Sequence, residues 1–283
     1  MSSTKNKIIV NKNLCGIIAL YYICGIISQK KISSVDENEM KTLYEVNKMA
    51  IKTVLIDMDG TLLNMGESAF ENEYLKRMVI FLEQRYPGKG KDLVKAVGYG
   101  AEMMKISDGS RTNLEVFWEG FEKASGYTRA EIEPVITQYY QTDFTHIGDS
   151  YVPDENMQKA VRLLQEKGYQ LLVATTPVVP LIANEERVRW SGLSDINWLD
   201  ITSFETYNYS KPNLKYYQQI CDKYSLNPAE CLMIGDSLVK DFPATELGME
   251  FFLILNADSP EAEQNFTGRK GDREALLEFV KGL

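Results

Sequence analysis

Four short apolar runs constrain this chain most: Thr53–Ile56, Leu171–Ala174, Cys231–Ile234 and Phe251–Leu255, each stopping at small or polar residues. Runs of this length without polar alternation are strands buried on both faces, which a parallel sheet covered by helices provides. Ile201–Phe204 is a weaker candidate, expected at a sheet edge. Helical patterns separate the runs at Asn156–Lys167, Leu181–Trp190, Pro212–Tyr224 and Phe242–Leu247, and Gly168, Gly192 and Gly248 stop three of them. This alternation predicts an α/β fold, a doubly wound parallel sheet that binds ligands at the carboxyl ends of its strands.

One interval breaks the rhythm. More than a hundred residues separate the first strand from the next strong one, and 68–142 read as helices. Phe70–Arg85 carries a stripe of Tyr74, Leu75, Met78, Val79 and Leu82 and is broken by Pro87-Gly88. Lys91–Ile106, Asn113–Ala124 and Arg129–Gln141 follow, the last with Thr128 as its N-cap. The spacing predicts an inserted bundle of four helices over 66–146, hosted by a core of 49–65 and 147–283. Phe117, Trp118 and Phe121 are expected in the interior of that bundle.

Charge and composition remove several function classes. Lys plus Arg total 31 against 40 for Asp plus Glu, a net of −9, where a nucleic-acid binder carries a basic face. Four cysteines without a C-x-x-C pair supply neither a disulfide framework nor a zinc motif. His146 is the single histidine, which excludes a multi-histidine metal site. The chemistry must therefore run on carboxylates, hydroxyls and lysine.

Those groups stand at strand ends. The first strand runs into Asp57-Met58-Asp59-Gly60-Thr61, where two acids at i and i+2 crowd like charges and call for a cation. The strand at 231–234 runs into Gly235-Asp236-Ser237, with Asp241 five residues after Asp236. The strand at 171–174 ends at Thr175, expected just before a helix N-terminus that favours an anion. Lys211 precedes Pro212, which is expected to open the following helix and hold the lysine toward the strand ends.

These segments together resemble the haloacid dehalogenase-like (HAD) hydrolase superfamily. DMDGTLL at 57–63, Thr175 after an apolar strand, Lys211-Pro212 and GDSLVKD at 235–241 are similar to its four motifs, over essentially 51–256. The helical insertion resembles its type 1 cap. Thr176 and Lys240 stand where asparagine is commoner. The resemblance implies a Rossmannoid core and an aspartyl-phosphate mechanism, in which Asp57 attacks phosphorus and Asp59 protonates the leaving group and then takes a proton from water. It further implies Mg²⁺ bridging Asp57, the backbone carbonyl of Asp59, Asp236 and a phosphate oxygen, with Asp241 supporting the metal and Thr175 and Lys211 holding phosphate. Superfamily dehalogenases lack an acid at the position of Asp59, so the resemblance implies a phosphatase acting on a small phosphorylated metabolite. A phosphomutase, or a catalytically silent binding protein of the same fold, is the alternative. The loop Ser107–Thr112, with Lys105 and Arg111 nearby, is the candidate for substrate selection. Gly148-Asp149-Ser150 with Asp154 repeats the spacing of the last motif, but no apolar strand precedes it, so it reads as the loop leaving the cap, with His146 at a hinge or on the surface.

The N-terminal 48 residues differ from the rest. Seven lysines and four acids give them +3, and an apolar run, Leu14–Ile27, lies between lysines on both sides. Fourteen residues are short of the roughly 20 a membrane span needs, and no small-x-small cleavage site follows. Three readings stand: a stretch upstream of the true start at Met49, a signal core or short anchor, or a peripheral helix. The first implies a cytoplasmic enzyme, the second a membrane-anchored or exported one. All four motifs lie beyond Met49, so a chain beginning there is expected to melt cooperatively and turn over substrate as the full chain does. Aggregation of that shorter chain would instead make residues 1–48 part of the core.

Overall fold

Residues 50–283 are described here by a computed structural model, and expectations about the preceding residues, Leu14–Ile27 included, lie outside the described residues. In chain order, β1 (Thr53–Ile56) is followed by α1 (Glu67–Arg85), α2 (Gly90–Lys105), α3 (Asn113–Ser125) and α4 (Arg129–Gln141), then a 3₁₀ segment at Asp143–Ser150. The alternating part follows: α5 (Glu155–Glu166), β2 (Gln170–Val173), α6 (Leu181–Trp190), β3 (Trp198–Ile201), α7 (Leu214–Tyr224), β4 (Cys231–Gly235) and β5 (Glu250–Ile254). A short α8 (Glu261–Gln264), β6 (Lys270–Gly271) and α9 (Arg273–Gly282) complete the chain.

The six strands are all parallel and ordered β3-β2-β1-β4-β5-β6. Side chains of successive residues alternate between sheet faces, and here both faces are buried. Leu55, Leu172, Met233 and Leu253 pack with Tyr216, Tyr217 and Ile220 of α7. Val54, Ile56, Leu171, Val173, Leu232 and Ile234 join Val161 and Leu164 of α5 and Leu276 and Val280 of α9. That second cluster continues into the insertion through Phe81, Phe121 and Tyr139. Phe117 and Trp118 are buried there as well, as expected of the bundle interior.

Capping fixes where the helices begin. The Thr112 hydroxyl accepts from Glu115 N–H, and the Glu115 carboxylate accepts from Thr112 N–H, a reciprocal box at the start of α3. Glu131 accepts from the Thr128 N–H at the start of α4 in the same way. Asp154, which echoes the spacing of the last motif, accepts from Asn156 and Met157 N–H and caps α5. His146 is exposed and pairs with Asp149.

Three expectations shift. The edge strand is β3, three residues earlier than Ile201–Phe204. Phe204 instead packs its ring on Phe117 of α3, with centroids 5.6 Å apart, while its N–H donates to Val179 O. Phe242–Leu247 winds as a 3₁₀ segment with Pro243 in its first turn, and Gly248 ends it at a φ of 97°. Pro212 does not open α7, because Asn213 caps it by accepting from Lys215 N–H, and the Lys211–Pro212 bond is cis. Among the described residues no helix is long and apolar enough to cross a membrane.

The insertion shares its interior with the sheet, so a cavity in it is felt globally. Phe121 is fully buried between Phe117 and Trp118. Phe121→Ala is expected to destabilise the protein by about 3–5 kcal/mol in urea unfolding, in a single transition.

Candidate active site

β1 lies between β2 and β4, so its carboxyl end is where the strand order reverses and where open α/β sheets bind ligands. Asp57 follows directly, its N–H donating to Ile234 O at 2.9 Å as one more rung of the β1–β4 ladder. Gly60 turns the chain at a φ of 72°, and a Cβ there would lie 1.8 Å from Asp236 Oδ2, so only glycine lets this loop meet the β4 loop. A Cβ on Gly235 would likewise lie 2.3 Å from the Asp241 carboxylate.

The carboxylate oxygens of Asp57, Asp236 and Asp241 lie within 4.8 Å of one another. Lys211 supplies the cation this crowding requires. Its Nζ donates to Asp57 Oδ1 at 2.7 Å and to Asp241 Oδ1 at 2.5 Å, with the side chain fully buried. Burial works against that ammonium, but Asp241 and Asp57 outweigh it and hold its pKa well above the usual lysine value. Asp241 also accepts from Ser237 N–H at 3.1 Å. One ammonium does not neutralise three carboxylates. Burial, reinforced by Asp57 and Asp241, pushes the Asp236 carboxyl up to about 8. Burial also lifts Asp241 to about 7, with Lys211 pulling the other way.

An oxygen-only set with surplus negative charge fits a hard divalent cation such as Mg²⁺, so the three aspartates form a candidate metal-binding cluster. Asp59 stands apart from it. Its side chain turns to Arg187 of α6, an ion pair sealed on the arginine side. Thr175 is buried at the β2 tip, and its carbonyl accepts from the Thr202 hydroxyl at 2.7 Å and Tyr216 OH at 2.8 Å. The expected helix N-terminus behind it is absent. α6 begins six residues later, and its Leu181 N–H is taken by the Glu205 carboxylate at 3.0 Å. Lys105 and Arg111 lie on the insertion surface, paired with Glu102 and Glu119.

Three residues of the site escape the motif pattern. Arg187 was predicted only as part of a helix. Asn256 donates to Gly60 O at 2.9 Å and reaches Asp236 Oδ2 at 3.4 Å. Arg273 of α9 donates to Gly60 O at 2.7 Å and Thr61 O at 3.1 Å, and to Asn256 Oδ1. A crowded acid pair signals that cations must be near, but spacing alone does not say which.

A doubly wound parallel sheet with an aspartate–lysine cluster at its switch point and a helical insertion after the first strand is the core of a HAD-fold hydrolase. A family model described as haloacid dehalogenase-like hydrolase matches residues 51–246, and the chain belongs to that family. A pyrophosphatase, PpaX, of Bacillus cereus is 24% identical over 189 residues, covering 67% of this chain and 76% of its own. The fold is similar to a HAD phosphatase from Thermococcus onnurineus, at 20% identity and a TM-score of 0.51 over 82% of this chain and 97% of that one. A putative β-phosphoglucomutase from Thermotoga maritima gives 15% and 0.50 over 82% of this chain and 100% of its own.

With carboxyls at about 8 and about 7, Asp236 and Asp241 must give up protons to take a cation. Mg²⁺ is therefore expected to raise the melting temperature more at about pH 8.5 than at about pH 6, and Asp236→Ala to abolish the rise. A rise equal at both pH values would contradict a protonated cluster.

Proposed function

We propose that this hydrolase is a Mg²⁺-dependent phosphatase that cleaves small phosphorylated metabolites through a phosphorylated Asp57. The observation that carries the reading is the Asp57 carboxylate, fixed at one oxygen by Lys211 and lying beside Asp236 and Asp241, with a second acid two residues on. A carboxylate needs no base to act as nucleophile. Its attack on phosphorus breaks the bond to the ester oxygen, and Asp59 gives that oxygen its proton. Asp59 then takes a proton from water, whose oxygen attacks the phosphorus and releases phosphate and Asp57. Lys211 and Thr175 face the phosphate oxygens as charge builds on them. Asp57, Asp236 and the Asp59 carbonyl would hold Mg²⁺, with Asp241 in support, and the bound ion would supply Lewis-acid stabilisation of that charge.

The same reading takes 49–65 and 147–283 as the catalytic core and 66–146 as a four-helix cap. Three hydrogen bonds support it. Asn64 N–H donates to Tyr151 OH, tying the segment that enters the insertion to the one that leaves it. Asn113, buried at the start of α3, donates to Pro177 O and Ser210 Oγ in the loops after Thr175 and before Lys211. The loop 107–112 is seated near these segments, since Asn208 donates to Gly109 O at 2.9 Å. We assign substrate selection to that loop, with Arg111 within it and Lys105 at the end of α2 as the cationic groups.

The test is a Mg²⁺-dependent screen against phosphorylated metabolites, with inorganic pyrophosphate included because the Bacillus cereus relative is named for it. Asp57→Asn, nearly isosteric but not nucleophilic, is expected to lower turnover by at least about 10³-fold while the protein still folds and melts cooperatively. Retention of about a tenth of the activity would overturn the covalent route.

A further inference from the structure

Arg187 is a buried charge, beside the acids, that the proposed reaction does not use. Arg187 is 2% exposed, and its side chain is fixed on several sides. Nη2 donates to Asp59 Oδ1, and Nη1 donates to Asn184 Oδ1 at 2.9 Å. Asn184 is itself oriented, since its Nδ2 donates to Thr202 O at 2.9 Å. The guanidinium carbon lies 4.2 Å from the ring centroid of Phe70 on α1, and Phe70 packs on Trp190 of the arginine's own helix. The Asp59 side chain stays 17% exposed while its partner is sealed.

As a source of stability the pair is weak. Among the described residues Arg187 Nε, which is buried, has no hydrogen-bond partner, and buried ion pairs commonly stabilise no more than apolar residues of the same volume. The chemistry of the pair is more specific. A guanidinium has donors and no acceptor, so the carboxyl oxygen it bonds is the one without a proton. A proton on Asp59 is thereby confined to Oδ2.

We propose that Arg187 is a positioning residue that fixes the Asp59 carboxyl by Oδ1, so that Oδ2 carries the proton to the leaving-group oxygen, while Phe70 of the insertion screens the pair. This rests on the reading of Asp59 as proton donor. The function of the arginine is then geometric: one rotamer of Asp59 and one protonated oxygen, both set from α6.

The test compares two aryl phosphates of matched shape in the Mg²⁺-loaded full chain. 4-Nitrophenyl phosphate leaves without protonation, whereas phenyl phosphate depends on it. Arg187→Met is expected to lower kcat/KM for phenyl phosphate by at least about tenfold more than for 4-nitrophenyl phosphate, within the range general acids contribute. Arg187→Lys, which keeps a donor at the site, is expected to recover part of that ratio. The ratio is taken within one preparation and is independent of the folded fraction. If Arg187→Met yields no folded protein, Asn184→Ala frees the other anchor of the guanidinium and must move the ratio the same way. Equal losses on both substrates, or a gain in activity, overturn the proposal. Asp59→Asn separates the two readings: if it leaves the ratio unchanged, the proton-donor role falls. If it shifts the ratio and Arg187→Met does not, the positioning role falls alone.

Discussion

The fully buried ammonium of Lys211, held between Asp57 and Asp241, is the interaction on which the site depends. It joins three segments far apart in sequence: the tip of β1, the loop before α7 and the loop leaving β4. Removing one partner of a buried pair leaves an uncompensated charge and costs about 3–5 kcal/mol. The surroundings conform to it. Gly235 has no side chain because Asp241 lies where its Cβ would be. Tyr217 OH donates to the Lys240 carbonyl, bracing the β4 loop from α7.

A second layer holds the loop that carries both acids. Arg273 reaches from the C-terminal helix to the carbonyls of Gly60 and Thr61, and Arg187 reaches from α6 to Asp59. Asn256 ties Gly60 to Asp236. The β1 loop is thus held by donors from α6, from α9 and from the loop after β5, groups that donate and never compete as nucleophiles.

Much of this was legible in the sequence, for a physical reason. Strands buried on both faces must be short and wholly apolar, so β1, β2, β4 and β5 announced themselves within a residue or so. The places of Asp57, Asp59, Thr175 and Asp236 followed from the ends of those strands, and that of Lys211 from the proline after it. The edge was less legible, because β3 is half-buried and Phe204 serves the insertion rather than the sheet. The supporting cations were not legible: Arg187 and Arg273 sit on helices among other charged residues, and only the fold turns them inward. β6, two residues long, carries no apolar run to find.

The connectivity of β1 has a consequence for how the chain comes together. Its sheet partners lie far downstream, with Thr53 opposite Gln170 on one side and Cys231 on the other. Among the described strands β1 emerges first, and its pairing is complete only once Cys231–Ile234 has followed. The helices of the insertion, built from contacts close in sequence, are made in the interval and can fold at once. Non-local pairing of this kind slows assembly and leaves an apolar segment open to wrong partners. The nascent protein thus passes through a long period in which β1, the strand that leads into Asp57, is an apolar segment without its sheet partners.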